Sequence, residues 1–278
     1  MQVKTLAGKL LSRRHQTARP ALIVLDLDQC VVWTGYDAPF AYYQALPRLS
    51  RLVMRSRKGE LPPICINTGR DRNYVEAVTF LTGISDWCVI EGGARLFHPV
   101  TKEMQNNPEI TLEAFKALIK LQQEWVPKIC ERFPELVPYP GKTAYVTLEV
   151  HPHTARMSLE EYYQAIKEDL QRMEQGGLIS IQRSQIAIDI GATGKEGPIN
   201  KGSGMRLLAQ KTGVHPREML ALGDSMSDYP MIQQAGFVAC PSNATAEFKR
   251  MTLEQGGFVS ARPYVEGVVD AIRHFCRG

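Results

Sequence analysis

Polar residues suited to phosphate chemistry follow four short apolar segments of the sequence, at the points where those segments end. The four clusters are Asp26-Leu27-Asp28, Thr68-Gly69-Arg70, Glu91-Gly92-Gly93 and Gly223-Asp224-Ser225-Met226-Ser227-Asp228. Carboxylates that are brought close together repel one another, so such a group requires a cation. Mg²⁺ fits this requirement, because it binds few protein oxygens, retains several waters and contacts substrate phosphates. The clusters therefore predict a Mg²⁺-assisted phosphate site, provided that the fold brings them together.

The pair Asp26 and Asp28 places two carboxylates two residues apart. In phosphoryl transfer, one such carboxylate can attack phosphorus while the other carries the proton of the leaving group. Thr68 offers a hydroxyl and backbone N–H groups to phosphate oxygens, and Lys201 offers a positive charge. Each motif alone is common, and an isolated Asp-x-Asp is more often an acidic cap or a metal-only site. The ordered combination indicates a single site at which an aspartate accepts a phosphoryl group that water then removes.

The elements that must position these clusters alternate between strands and helices. Short continuous apolar runs predict buried strands, and apolar residues spaced by three or four predict helices. The predicted strands are 21–25, 63–67, 87–90, 219–222 and 237–239, and the predicted helices are 41–57, 73–81, 201–212, 229–235 and 265–275. This alternation indicates an α/β fold, a Rossmann-like parallel sheet with right-handed crossovers. Ligands of such sheets bind beyond the carboxyl ends of the strands, so we expect the polar clusters to converge at one edge.

The segment between residues 107 and 190 has a different pattern. It predicts a long helix over 111–132, a strand over 144–150, a helix over 158–175 and two antiparallel strands over 178–182 and 185–190. Ser158 and Glu161 have the spacing of a capping box at the start of the second helix. We therefore expect three parts in the chain. They are a basic leader or arm at 1–20, a catalytic core formed by 21–106 and 191–278, and an inserted α+β cap at 107–190.

Taken in order, the motifs resemble those of the haloacid dehalogenase (HAD) superfamily phosphatases, in the group with an α+β cap inserted after the third core strand. Sucrose-phosphate and mannosylglycerate-phosphate phosphatases belong to that group. The resemblance covers the whole chain beyond the leader. It implies a HAD core fold, a Mg²⁺ cofactor and a small phosphate ester as substrate, with a sugar or sugar-acid phosphate as the expected class.

The resemblance also implies a role for each residue that matches a motif of the superfamily. Asp26 corresponds to the nucleophile, and Asp28 corresponds to the general acid and base. Thr68 and Lys201 correspond to the residues that hold the phosphate. The implied metal ligands are Asp26, Asp28 through its carbonyl oxygen, Asp224 and Asp228.

Three further residues are candidate substrate contacts. Gly69 and Arg70 directly follow Thr68. Arg70 is interpreted equally well as an anion-binding residue or as a structural ion-pair partner. Asn243 lies in a segment that resembles an asparagine motif near the end of the chain in the same group. Asn243 is interpreted equally well as a contact to the phosphate loop or as a plain turn residue. Cys30 follows the acidic pair, but anionic neighbours raise the pKa of a thiol, so a packed side chain is favoured over a nucleophile.

The leading functional hypothesis is a Mg²⁺-dependent phosphomonoesterase that works through an aspartyl-phosphate. A phosphomutase on the same fold is one alternative, and a non-catalytic phosphosugar-binding protein is another. A nucleotide-sugar transferase would use the Asp-x-Asp motif as a metal site. That last hypothesis leaves Lys201 and the second acidic pair without a role.

Composition limits the expected partners. The chain of 278 residues is 44% hydrophobic and 22% charged, as in soluble globular proteins, and lacks an apolar run of the roughly 20 residues that cross a bilayer. The formal charge of +4 comes from the leader, because the 28 basic residues outside it face 29 acidic ones and leave −1. The five basic residues concerned are Lys4, Lys9, Arg13, Arg14 and Arg19. We expect a small-molecule phosphate ester as partner, no nucleic acid and no membrane. The oligomeric state is left open.

The cysteines and the leader bear on the compartment. The six cysteines show no zinc-ligand spacing, and we expect free thiols in a reducing, cytoplasmic environment. The acid-free leader resembles an organelle transit peptide in composition, so an organelle is the alternative location. A frayed basic arm is the favoured interpretation of the leader.

Overall fold

The computed structural model describes residues 19–35, 37–151, 153–184 and 187–276. The predicted leader at 1–20 therefore lies almost wholly outside the described residues. Within them, one sheet has eight strands and a second sheet has five. The strands are β1 (Leu22–Leu25), β2 (Ile64–Asn67), β3 (Cys88–Ile90), β4 (Arg95–Phe97), β5 (Met104–Asn106), β6 (Leu136–Pro138), β7 (Tyr145–Val150), β8 (Ile179–Arg183), β9 (Ala187–Gly194), β10 (Gly197–Pro198), β11 (Met219–Leu222), β12 (Phe237–Cys240) and β13 (Phe258–Val259).

The helices lie between these strands. They are α1 (Phe40–Arg57), α2 (Arg72–Thr82), α3 (Leu112–Lys120), α4 (Val126–Arg132), α5 (Leu159–Gln175), α6 (Lys201–Thr212), α7 (Tyr229–Ile232), α8 (Ala246–Glu254) and α9 (Tyr264–Cys276). Helix α6 begins and ends where the sequence predicts. It ends because Gly213 takes the left-handed conformation with φ of 74°.

The eight-stranded sheet, called the core sheet below, has the order β13-β12-β11-β1-β2-β3-β4-β5. The six strands from β13 to β3 are parallel, and β4 and β5 continue the sheet in antiparallel pairing. Leu25 at the end of β1 pairs with Leu222 of β11 and Ile66 of β2. The carboxyl ends of these three strands are therefore level, and the residues that follow them meet at one edge.

Helices cover both faces of the core sheet, because successive side chains of a strand point to opposite faces. Ile23 and Leu25 of β1 pack in a cluster with residues of α1, α2 and α9. Leu22 and Val24 pack in a second cluster, with residues of α6, α7 and α8. All four residues of β1 are buried, which explains why the strand is a continuous apolar run rather than an alternating one.

The five-stranded sheet, called the cap sheet below, is antiparallel and comprises β6 to β10. Its apolar cluster includes residues of α3, α4 and α5, separate from the two clusters of the core sheet. The predicted α/β class, with a parallel core and an inserted α+β unit, is confirmed. The division of the chain at residues 107 and 190 stays a prediction, and β9 and β10 extend the cap sheet as far as Pro198.

The structure departs from the predicted elements where local pattern carries little information. Five strands of two or three residues, too short for a periodicity, were not predicted, and they are β4, β5, β6, β10 and β13. Helix α8 was also not predicted. The capping box at the start of α5 was predicted and is present, with Glu161 accepting from the backbone N–H of Ser158 at 2.7 Å.

The single helix expected over 111–132 is interrupted by a π-helical turn at Leu121–Trp125, between α3 and α4. Pro127 explains the interruption. It has no N–H to donate to the carbonyl of Gln123, and its ring would crowd that carbonyl in a regular α-helix. The wider π turn relieves both problems while the helical direction is kept.

Among the described residues, none of the helices combines the length and the apolar character needed to cross a membrane.

Candidate active site

Two neighbouring strand ends of the core sheet, those of β1 and β11, bring the acidic residues to one place. Asp26 follows β1, and its backbone N–H donates to the carbonyl of Leu222 at 2.9 Å. Asp224 follows β11 after Gly223, and Asp228 closes the short turn beyond it. Asp26 and Asp228 are 3% and 0% exposed, so this edge of the sheet buries carboxylates.

The ammonium group of Lys201 lies between two of these carboxylates. Its Nζ is 2.6 Å from Oδ1 of Asp26 and 2.5 Å from Oδ1 of Asp228. Lys201 is the first residue of α6, whose N-cap is the side chain of Asn200. Asn67, at the end of β2, donates from Nδ2 to the carbonyl of Lys201 at 2.8 Å and fixes the start of the helix. The backbone of Lys201 is thus fixed by Asn67 of the core sheet, and its ammonium group is fixed by the two carboxylates.

The glycines after β3 allow α6 to begin at this position. Gly93 has a φ of 103°, and a Cβ atom there would lie 2.1 Å from the carbonyl oxygen of Asn200. Only glycine can therefore occupy this point of contact. The predicted cluster Glu91-Gly92-Gly93 consequently serves the site through the backbone, by letting the chain after β3 approach the helix that carries Lys201.

Burial and mutual repulsion dominate the electrostatics of the acidic group. Burial, and then the charge of Asp228, raise the pKa of Asp26 well above its ordinary value, whereas Lys201 lowers it. Burial and Asp228 also raise the pKa of Asp224 to about 7. Burial opposes the charge of Lys201, but Asp228 and Asp26 outweigh it and raise the lysine pKa. The single positive charge of Lys201 therefore does not balance the negative charge of Asp26, Asp224 and Asp228 when all three are ionised.

The acidic group has the donor chemistry that a divalent cation requires. Side-chain ligand atoms of Asp26, Asp224 and Cys30 lie within 4.8 Å of one another. Burial raises the pKa of the Cys30 thiol, so Cys30 stays protonated and suits a hard cation poorly. The carboxylates of Asp26 and Asp224 are the groups that fit Mg²⁺.

Asp228 differs from these two residues because both of its oxygens are already engaged. Oδ1 contacts Lys201, while Oδ2 accepts from the backbone N–H groups of Asp224 at 2.9 Å and Ser225 at 3.2 Å. In this arrangement Asp228 fixes the loop that presents Asp224. Its predicted role as a direct metal ligand would require one of these contacts to be exchanged, and it stays a prediction.

Asp28 lies on the more open side of the site, with its side chain 33% exposed. Arg70 donates from Nε to Oδ2 of Asp28 at 2.8 Å, and Tyr74 donates from its hydroxyl to Oδ1 at 3.4 Å. Burial and the Asp28 charge raise the pKa of the Tyr74 phenol, which keeps Tyr74 a neutral donor. Arg70 is thus an ion-pair partner of Asp28, one of the two interpretations that the sequence left open.

Thr68 and Gly69 form the turn after β2. Thr68 is fully buried, its N–H donates to the carbonyl of Val89 at 3.0 Å, and its Oγ1 accepts from the N–H of Arg70 at 3.3 Å. The backbone N–H of Thr68 is therefore used within the sheet, contrary to the expectation that it would bind phosphate. The hydroxyl proton of Thr68 is the group that can still be donated to a phosphate oxygen.

Asn243 braces the loop that follows the acidic pair. Its Nδ2 donates to the carbonyl of Gln29 at 2.8 Å, and its Oδ1 accepts from the N–H of Tyr264 at 2.7 Å. Gln29 and Tyr264 both have positive φ angles, of 57° and 49°, so the amide stabilises two strained positions at once. A direct contact between Asn243 and the substrate stays a prediction.

Residues 139–145, called the cap loop below, reach the site from the cap sheet, and the sequence did not predict this. The buried carboxylate of Glu91 accepts from the N–H groups of Thr143 at 2.8 Å and Ala144 at 2.6 Å. Gly141, with φ of 86°, lies so close to Asp71 that an added Cβ would be 3.0 Å from its carboxylate. The run of turn-forming residues from 138 to 141 is the signal in the sequence that indicates such a loop.

The fold is that of haloacid dehalogenase-like hydrolases of known structure. A family model described as sucrose-6F-phosphate phosphohydrolase matches residues 19–276, and the chain belongs to this family of phosphatases. A haloacid dehalogenase-like hydrolase from Bacteroides thetaiotaomicron has the same fold, with a TM-score of 0.67, 17% identity and coverage of 92% of this chain and 99% of that chain. A sucrose-phosphatase from Synechocystis sp. PCC6803, solved with sucrose and phosphate, gives a TM-score of 0.62 at 19% identity, covering 92% and 98%.

Curated relatives in archaea bear a different name. The phosphoglycolate phosphatase of Methanospirillum hungatei is 30% identical over 138 residues, which are 49% of this chain and 56% of the relative. That of Methanococcoides burtonii is 26% identical over 212 residues, which are 76% of this chain and 82% of the relative. The chain thus spans about half of the first of these relatives, and it spans about a third of three others with the same name.

Proposed function

We propose that the protein is a Mg²⁺-dependent phosphatase that hydrolyses a small phosphate ester, of a sugar or sugar acid, through an aspartyl-phosphate on Asp26. The observation that carries the proposal is the Lys201 ammonium group, held between the buried carboxylates of Asp26 and Asp228 beside Asp224. Lysine in this position lowers the pKa of Asp26, against the effect of burial, and faces the place where a phosphoryl group would bind.

The reaction then divides into two displacements at phosphorus. An oxygen of Asp26 attacks phosphorus, the bond to the leaving oxygen breaks, and Asp28 donates a proton to that oxygen. In the second step Asp28 takes a proton from water, the water oxygen attacks phosphorus, and the bond to Asp26 breaks. A bound Mg²⁺, held through Asp26 and Asp224, would offset the negative charge of the phosphoryl oxygens.

The surroundings of Asp28 orient its carboxylate and leave it accessible. Arg70 and Tyr74 fix the carboxylate by hydrogen bonds, and its partial exposure leaves room for a leaving group and then for water. The hydroxyl of Thr68 and the ammonium of Lys201 are placed to hold phosphoryl oxygens as the phosphoryl group moves from the leaving group to Asp26.

The names of similar proteins support two kinds of leaving group. The family is named for a sucrose phosphate, whose leaving group is neutral, whereas the archaeal relatives are named for phosphoglycolate, whose leaving group carries a carboxylate. Both are small phosphate monoesters. The proposal therefore covers neutral and acidic substrates.

Phosphate release from a panel of sugar phosphates, sugar-acid phosphates and phosphoglycolate tests the proposal, with Mg²⁺ and with EDTA. We expect Mg²⁺-dependent release without a bisphosphate activator, which separates hydrolysis from a phosphomutase reaction. Asp26→Asn should lower turnover by about four orders of magnitude or more while the fold is retained. Asp169→Asn, which changes a carboxylate paired with Arg132 outside the site, is the matched control. Substantial turnover by the Asp26→Asn variant would contradict the mechanism.

A further inference from the structure

Lys142 of the cap loop is a cation without a carboxylate in contact. Among the described residues, no carboxylate oxygen lies within 4.0 Å of its Nζ, whereas Lys201 has two such contacts. Burial lowers the pKa of Lys142. The charges of Asp189, Glu91 and Asp28 oppose this effect, and the charge of Arg70 adds to it, so the pKa stays below its ordinary value. A partly buried charge with incomplete compensation is costly, and it is retained where a ligand completes the pair.

The ammonium group is fixed in place rather than loose. Its Nζ donates to Oγ1 of Thr147 at 2.5 Å, and that hydroxyl donates to Oδ1 of Asp189 at 2.5 Å. Asp189 therefore supports the lysine from behind, through a hydroxyl. The rings of Tyr139 and Tyr145 lie 5.1 and 5.2 Å from the ammonium group and form walls around it.

A second cation lies on the same aromatic ring. The guanidinium carbon of Arg70 is 5.2 Å from the centre of the Tyr139 ring, and Lys142 is 5.1 Å from it. Arg70 donates a hydrogen bond from Nε to Oδ2 of Asp28 at 2.8 Å. The order in space is therefore Asp28, Arg70, Tyr139 and Lys142, which leads from the predicted general acid into the cap loop.

A leaving group that extends from Asp28 towards the cap loop would pass both cations. Asp28 can protonate the leaving oxygen only from within hydrogen-bond distance, so the rest of the leaving group extends from Asp28. The cap loop is held over this direction by the contacts of Glu91 with Thr143 and Ala144. A leaving group that extends towards the loop meets Arg70 first and Lys142 next.

We propose that Lys142, together with Arg70 and the ring of Tyr139, forms a subsite for a carboxylate on the leaving group, so that the preferred substrates are phosphate esters of hydroxy acids or sugar acids rather than of neutral sugars. The orientation of the leaving group rests on the proposed function, whereas the binding of an acid at Lys142 is measurable without turnover.

Non-hydrolysable phosphonates provide the test. In 3-phosphonopropionate and 4-phosphonobutyrate a methylene group replaces the ester oxygen and a carboxylate ends the chain. In 3-hydroxypropylphosphonate and 4-hydroxybutylphosphonate a neutral hydroxymethyl group replaces the carboxylate. Calorimetric titration of the full chain with Mg²⁺ should give a dissociation constant about 10- to 100-fold lower for at least one acid than for its neutral partner, the range of a charge-assisted hydrogen bond.

Variants at position 142 assign that preference to the lysine. Lys142→Met should remove the preference by weakening the binding of the acidic phosphonate. The dissociation constant of the neutral phosphonate should change by less than about threefold, and Lys142→Arg should restore part of the preference. Lys116→Met changes an exposed lysine of α3 and should leave all four affinities unchanged. Equal affinities in the unmodified protein, no binding of either acid, or a preference that survives in Lys142→Met would each overturn the subsite.

The outcome is separable from that of the proposed function. A clear preference in the phosphonate titrations combined with no phosphate release from any ester would reject the phosphatase and retain the subsite. Phosphate release with equal phosphonate affinities would retain the phosphatase and reject the subsite.

Discussion

Lys201 of the core and Lys142 of the cap loop are both withdrawn from water, yet their surroundings are opposite. Lys201 contacts two carboxylates within 2.6 Å, and these raise its pKa despite burial. Lys142 contacts a hydroxyl and two aromatic rings, and burial lowers its pKa. The core lysine is part of a network that compensates its charge internally. The cap lysine has a charge for which the described part of the chain supplies no carboxylate in contact.

The difference separates two kinds of functional residue. Removing the core lysine leaves buried carboxylates uncompensated, so stability and activity should fall together. Removing the cap lysine relieves a desolvated charge, so affinity should fall while stability does not. The following predictions test this contrast, from the largest expected effect to the smallest.

Lys201→Met should lower the free energy of unfolding by about 3–5 kcal/mol, because Asp26 and Asp228 lose the cation between them. Urea denaturation in EDTA measures this loss, and added Mg²⁺ should recover part of it by offsetting the same carboxylates. Lys116→Met again serves as the control. Unchanged stability of Lys201→Met in EDTA would show that the ion pairs are not compensating one another as described.

Glu91→Gln should weaken the attachment of the cap loop to the core. The N–H groups of Thr143 and Ala144 both donate to Oε2 of Glu91, and the amide removes the charge that strengthens these two hydrogen bonds. We expect a loss of about 1–3 kcal/mol in unfolding free energy, the usual cost of a disturbed buried hydrogen bond to a charged group. The Michaelis constant for acidic substrates should rise more than kcat falls. If steady-state assays give the same Michaelis constant for Glu91→Gln and for the unmodified protein, the loop does not help to bind the leaving group.

Lys142→Met should leave the free energy of unfolding unchanged or raise it by about 1 kcal/mol near neutral pH, as replacement of a partly buried, poorly compensated charge often does. The lowered pKa of Lys142 gives the pH dependence its sign. The cost of the charge is full below the folded-state pKa, and it disappears above the ordinary lysine pKa of about 10.4. Any advantage of the variant should therefore shrink as the pH rises towards that value, in denaturation curves compared at matched pH. An advantage that grows with pH would contradict the assignment.

The parts of the site that the sequence predicts are those in which a polar motif follows a buried strand. Asp26, Asp224 and Lys201 are brought together because β1, β2 and β11 are level and parallel, which the alternation of strands and helices already indicates. The roles of these residues stay predictions until they are tested. Asp228 is a partial exception, because the engagement of both its oxygens depends on a turn geometry that no pattern contains.

The cap loop was not predicted, because the contacts that place it are distant in sequence. Glu91 and Thr143 are 52 positions apart, and the partner of a buried carboxylate across such a distance leaves no periodic signal. The π-helical turn was missed for a more local reason, since the amphipathic pattern continues through Pro127 although one backbone hydrogen bond is lost. Periodicity thus identifies the scaffold, and non-local hydrogen bonds decide what the cap presents to the site.

The most direct measurement of the central claim is acid quenching during steady-state turnover of a phosphate ester with Mg²⁺, followed by mass spectrometry of the peptides. The mechanism predicts a phosphoryl group on the carboxylate of Asp26 that is absent when Mg²⁺ is removed with EDTA, and absent from the Asp26→Asn variant. Rapid release of phosphate with an unmodified Asp26 peptide, or a phosphoryl group trapped on another residue, would contradict it.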